Sequence, residues 1–177
     1  MIKNIILFGF TLCLTISSYA QKVNKEEVEE VKQHKLALVF GYTHIPAAFI
    51  DGHSRESVYA PTIGLDYFYQ FTKKWGIGAV IDLEFANYTV DFNTEELERE
   101  RPVITGVLVG YELAPRWVFL LGPGVEFEKN KNIFIVRAST EYELELGNDW
   151  GLFPAINYDF KKEYSTWSIN LGVSKRL

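Results

Sequence analysis

Trp75-Gly76-Ile77-Gly78-Ala79-Val80-Ile81-Asp82-Leu83-Glu84-Phe85 sets the pattern for the whole chain. Trp75, Ile77, Ala79, Ile81, Leu83 and Phe85 fall on one parity, and Gly76, Gly78, Asp82 and Glu84 on the other. A period of two is the signature of a strand with one greasy and one polar face. The same alternation returns in Ile63, Leu65, Tyr67, Tyr69 and Phe71, in Phe134, Val136, Ala138, Thr140, Tyr142 and Leu144, and in Trp167, Ile169, Leu171 and Val173. Between Leu36 and Leu177 it divides into eight runs: 36–45, 58–71, 75–90, 102–113, 117–128, 132–146, 150–160 and 164–177. No segment between them carries a helical period long enough for a crossover, so successive strands are expected to pair antiparallel.

The connections add a repeat. Thr72-Lys73-Lys74, Ala114-Pro115-Arg116 and Gly147-Asn148-Asp149 are tight turns, each followed at once by a tryptophan: Trp75, Trp117 and Trp150. Nine and ten residues further on come Glu84-Phe85, Glu126-Phe127 and Asp159-Phe160. This is a hairpin unit of fixed strand length. The other connections include two long ones, 46–57 and 91–101, so the variable loops gather at one end.

Eight alternating strands fit two closed architectures. A soluble lipocalin-like carrier would turn its oily face inward around a ligand. A membrane barrel does the reverse, because lipid cannot satisfy polar groups. Tryptophans beside the tight turns sit where an interfacial aromatic girdle belongs. The polar parity is rich in glycine (Gly41, Gly64, Gly78, Gly106, Gly122, Gly172), which suits a crowded bore and gains nothing at a water-facing surface. Roughly ten residues at about 3.3 Å, tilted about 40°, span about 25 Å of hydrocarbon, matching the tryptophan-to-aromatic spacing. The expected fold is therefore all-β, an eight-stranded antiparallel up-and-down transmembrane barrel over 36–177.

The start of the chain agrees with export. Lys3, the apolar run Ile5–Leu14 and the small residues Ser18 and Ala20 read as a signal peptide over 1–20, cleaved before Gln21. Residues 21–35 are a charged periplasmic segment, expected to be a solvated tail, with a short amphipathic helix as the alternative. Of the 177 residues, the leader removes one lysine, leaving 17 basic against 23 acidic side chains and a formal charge of −6. That balance argues against a nucleic-acid partner, which needs a basic face. The only cysteine, Cys13, lies in the leader, so the mature chain has no disulfide and no thiol site.

With its alternating runs, its Trp75, Trp117 and Trp150 girdle and its closing Trp167-Ser-Ile-Asn-Leu-Gly-Val-Ser-Lys-Arg-Leu177, the chain resembles the small eight-stranded outer-membrane barrels of Gram-negative bacteria, the OmpA and OmpX types. The resemblance lies in architecture and covers 36–177. It implies a place in the outer membrane, lipid and lipopolysaccharide around the barrel, and recognition of the last strand by the barrel-assembly machinery. It also implies that both termini and the tight turns face the periplasm. Lys175 falls on the apolar parity, near enough to the rim to reach water.

The bore is expected to hold a polar network of Asp66, Asp82, Glu84, Glu112, Glu126, Glu141, Glu143 and Asp159 with Arg137 and Arg176, Arg137 tying it together. Buried carboxylates must pair, keep water or protonate. A plugged bore with a structural, accessory or partner-binding role through the outer loops is the leading expectation. A narrow cation channel is one rival. A lipid-modifying enzyme at the outer rim is another, with His44 and His53 beside Asp51 and Ser54 as its only material. No cofactor, metal or nucleotide motif appears. The charge run Asn93–Arg101 is expected to be a solvated loop or one helical turn, with Glu95, Glu96, Glu98 and Arg99 available to an envelope protein partner.

Overall fold

The computed structural model describes residues 34–46, 48–50, 57–92 and 95–177. Its elements in chain order are β1 (His34–Ile45), β2 (Ala48–Phe49), β3 (Val58–Gln70), β4 (Trp75–Glu84), β5 (Asn87–Phe92), β6 (Glu95–Glu100), β7 (Val103–Ala114), β8 (Trp117–Phe127), β9 (Ile133–Tyr142), β10 (Leu144–Gly147), β11 (Trp150–Lys161) and β12 (Thr166–Arg176). Strand order around the wall is β1-β3-β4-β7-β8-β9-β11-β12, and β12 returns to β1. β10 continues β9 past Glu143, so the wall has eight strands, each antiparallel to its neighbours. Closure runs from Lys35↔Arg176 to His44↔Trp167. A closed sheet leaves no unpaired edge to meet lipid.

The tight turns lie at one end, with the start of β1 and the end of β12. Each turn is locked by backbone chemistry. Thr72 Oγ1 accepts from the Trp75 amide at 2.9 Å, and Gly147, Asn148 and Asp149 take the left-handed φ values 88°, 51° and 66° that a short hairpin turn demands. Turn carbonyls then extend the ladder. Lys74 O accepts from the Glu112 amide at 2.8 Å, and Arg116 O from the Glu143 amide at 2.8 Å.

The inward face explains two of the glycines. Phe68 and Phe153 point into the bore, and their directly opposed partners are Gly78 and Gly172. A Cβ at Gly78 would stand 2.2 Å from the Phe68 ring, and one at Gly172 would stand 2.1 Å from the Phe153 ring. Each ring lies in the space its partner lacks.

The structure corrects one expectation. The charge run after Asp91 is neither a solvated loop nor a helical turn, because 95–100 forms β6, paired with β5 from Asn87↔Glu100 to Phe92↔Glu95. With β2 these make a separate three-stranded sheet above the wall. The physical reason is that strand pairing turns Leu97 and Arg99 inward and leaves Glu96, Glu98 and Glu100 in water. The expected loop 46–57 likewise contains the short strand β2, while Asp51, His53 and Ser54 lie outside the described residues.

Candidate functional site

The wall's outer face is apolar along its length. Leu65, Ile81, Leu121, Ile156, Ile169 and Leu171 are all exposed, each by 46% or more. Large exposed apolar side chains on every strand of the wall, Phe134 and Val136 on β9 among them, make the surface of a protein dissolved in lipid. Trp75, Trp117 and Trp150 ring the turn end. Trp75 packs on Tyr111 with ring centres 4.7 Å apart, Trp117 donates from Nε1 to Thr140 Oγ1 at 2.6 Å, and Lys175 Nζ lies 5.3 Å over Trp150. His44 sits at the opposite rim on this outer side, between the rings of Tyr59 (4.8 Å) and Trp167 (4.9 Å).

The inner face carries three tiers of charge. In the middle, Arg137 on β9 donates from Nε and Nη2 to both oxygens of Asp159 on β11, at 2.7 and 2.9 Å, and from Nη1 to Asp82 on β4. Beside it a cavity of about 10 Å³, about the space one water's centre needs, is lined by Asp66, Asp82, Glu141, Ser139 and Asn157 on its polar side. Val39, Val80, Leu108, Leu120 and Phe153 form its apolar side. Near the turn end Lys35 lies over the rings of Phe68 (5.3 Å) and Phe153 (5.0 Å) and reaches Glu141 at 3.4 Å. Glu143 takes Arg176 at 3.0 Å and the Ser174 hydroxyl at 3.2 Å. Glu112 is half-buried at that end.

The third tier closes the loop end. Glu126, with no exposed surface, accepts from Arg99 and Lys161 and from the Tyr164 hydroxyl at 2.6 Å. Arg99, 1% exposed, also donates to Lys131 O at 2.6 Å. Tyr88 donates to Glu84 at 3.0 Å and lies 3.2 Å, oxygen to oxygen, from Tyr164. Above these polar atoms sits an apolar plug of Ile45, Ala48, Val58, Ala60, Tyr88, Val90, Ile133 and Tyr164. Burial, and then the Glu84 carboxylate, pushes the Tyr88 phenol well above its ordinary range; burial and Glu126 do the same to Tyr164. Burial, the largest single influence, works against the Arg99 cation, but Glu126 together with the Tyr164 and Tyr88 hydroxyls outweighs it and raises its pKa.

Of the expected bore residues, Asp66, Asp82, Glu84, Glu126, Arg137, Glu141, Glu143 and Asp159 are buried, and Arg176 is half-buried. Arg99 stands apart from its expected role: it is buried against Glu126 rather than offered to a partner. Glu96 and Glu98 are exposed, and Glu95 opens β6 with its side chain outside the described residues. Sequence reasoning missed Lys35, Lys161, Tyr88 and Tyr164 as interior groups. Strand parity carried one residue beyond each run would have found Lys35, which shares a face with Ala37 and Val39, and Lys161, which shares a face with Asp159. Among the described residues no group of three or more His, Cys, Asp or Glu side chains is arranged to hold a metal ion.

An oily exterior and a charged interior within a closed wall of eight antiparallel strands define a small transmembrane β-barrel of the outer-membrane kind. No family model matches the chain, and no curated protein matches it in sequence. Solved structures match it in fold. Neisserial surface protein A is 8% identical with a TM-score of 0.53, the match covering 81% of this chain and 97% of that one. The N-terminal β-barrel domain of Pseudomonas aeruginosa OprF is 8% identical with a TM-score of 0.54, over 81% and 97% of the two chains. The outer membrane protein OprG from Pseudomonas aeruginosa is 13% identical with a TM-score of 0.52, over 82% and 97%. Identities this low carry the likeness of fold and nothing finer.

Proposed function

We propose that this chain is an integral outer-membrane protein whose interior is closed to ions, and that it serves the envelope as an accessory or docking component through its loop end. Residues 1–20 direct its export, the turn end faces the periplasm, and lipopolysaccharide surrounds the loop end. The observation that carries this reading is the filling of the bore. Arg137 spans its middle between Asp82 and Asp159, and the Tyr88–Val90–Ile133–Tyr164 plug covers the mouth above Glu126. Side chains fill an eight-stranded barrel of ordinary size in the same way.

An enzyme at the outer rim is less well supported. His44 is held between Tyr59 and Trp167 on the outer side, and its Nδ1 has no hydrogen-bond partner among the described residues, so none of their hydroxyls or carboxylates engages that nitrogen. The acid-lined central cavity favours a narrow cation path as the second reading. Planar-bilayer recording separates the two. A silent bilayer, together with a stoichiometric partner that is pulled down from detergent-extracted membranes and lost on deleting 93–100, supports the docking role. Steady cation-selective current, lost in Asp82→Asn, puts the channel first.

A further inference from the structure

The β5–β6 hairpin is tied to the wall through a narrow neck. Phe85 and Ala86 interrupt the strand on one side, and Arg101 (φ 45°) and Pro102 interrupt it on the other. Glu84 N to Pro102 O (3.1 Å) and Arg101 N to Ala86 O (3.0 Å) close the neck. Above it β5 is held on one side by β2, while β6 is the last strand of its sheet. Among the described residues β6 pairs with no strand beyond β5, only the Asn130 side-chain amide reaching the Glu98 carbonyl at 3.5 Å, and it bears Glu96, Glu98 and Glu100 on alternate positions of its exposed face. Like charges along one face weaken a strand's hold.

What keeps β6 in place is its inner face. Leu97 packs against the apolar plug, and Arg99 enters an acidic cup of Glu126 and Glu128, with Glu84 on the same floor and Lys161 the other cation there. Without Arg99 the cup holds three carboxylates against one lysine. The resident arginine also fits imperfectly, because Arg99 Nε and Glu128 Oε1 are both buried and neither has a partner among the described residues. The cup thus takes a guanidinium presented on an extended strand, and β6 leaves one of its donors and one of its acceptors unpaired there.

We propose that the loop end is a strand-exchange site: β6 is an internal occupant, and a partner's extended segment with an apolar residue two positions before an arginine displaces it by pairing with β5 and placing that arginine on Glu126 and Glu128. The main chain would supply affinity and the cup specificity, as in strand addition generally. This deepens the docking role proposed above and rests on it only in needing the loop end to be accessible.

The test uses the full mature protein in detergent micelles and an acetylated, amidated probe peptide, Thr-Leu-Thr-Arg-Thr, which copies 96–100 without the outward carboxylates. A nitroxide on Glu98→Cys reports β6, since the mature chain has no other cysteine. Saturating probe should mobilise that label, and the peptide with glutamine in place of arginine should bind at least tenfold more weakly. A Leu97→Ala/Arg99→Ala variant, which loosens the resident strand, should bind the probe at least tenfold more tightly than wild type. Equal binding of the arginine and glutamine peptides, or a label unmoved by saturating probe, overturns the proposal, and the label experiment stands even if the double variant fails to fold. Partner pull-down from membranes tests the broader docking role separately, so a label that stays fixed beside a captured partner sinks strand exchange alone.

Discussion

Arg137 and Asp82, 55 positions apart in the chain, meet across the barrel axis, since β4 and β9 are separated in the wall by β7 and β8. The contact ties opposite sides of the cylinder together, and Asp159 takes the rest of the guanidinium from β11. A cation this buried is tolerated only because two carboxylates answer it.

Replacing Arg137 by methionine should therefore leave Asp82 and Asp159 buried without a partner. The expected loss is about 3–5 kcal/mol, the usual cost of breaking a buried pair from one side. Urea unfolding in lipid vesicles measures it. Adding Asp82→Asn and Asp159→Asn to the methionine variant should recover most of the loss. If the triple variant is as unstable as the single one, packing of the arginine stem rather than charge is responsible.

The ring-over-glycine pairs give a second expectation. Gly172→Ala pushes a methyl into the Phe153 ring, and overpacking of this kind costs about 1–3 kcal/mol. In a Phe153→Leu background the same substitution should cost much less, because the ring that it meets is gone. Additive losses in the double-mutant cycle would mean that the strain lies in the backbone instead.

The wall was legible in the sequence because lipid and bore impose strict alternation: Trp75 through Phe85 had to face out on one parity whatever surrounded them. The three tiers were half legible. Their carboxylates stand inside strands and declare themselves by parity, as does Arg137, but three of the other cations that answer them sit at or beyond strand ends. Lys35 reads as tail, Lys161 as turn and Arg99 as a solvated charge run, so the interior looked more acidic than it is. The inward turn of β6 could not be read, because Leu97 and Arg99 face an apolar plug and an acidic cup assembled from β1, β3, β8, β9 and the β11–β12 turn. Local pattern does not report what a distant strand will offer.

Depth in the bilayer separates positions that share one strand and one face. Ile81 lies near the middle of β4, and Trp75 begins it at the girdle. Arginine at Ile81 should cost about 2–4 kcal/mol in folding into vesicles, while arginine at Trp75 should cost about 0–1 kcal/mol for its charge, plus the lost ring contact with Tyr111. Equal costs at the two sites would mean that the exposed face does not cross a bilayer.

The plug at the mouth should appear in an alkaline titration. Tyr88 and Tyr164 stay protonated in the folded protein above the usual phenol value of about 10, because burial and the Glu84 and Glu126 carboxylates oppose the phenolate. The unfolded chain therefore releases these protons first. Their contribution to stability is complete below the unfolded value and is lost as pH rises from there toward the folded one. Ultraviolet absorbance of phenolate should show two tyrosines that ionise only when the barrel unfolds. In Tyr88→Phe/Tyr164→Phe that late signal should shrink by two phenols. If both ionise in a barrel that stays folded, the loop end is open to water and the closed mouth is wrong.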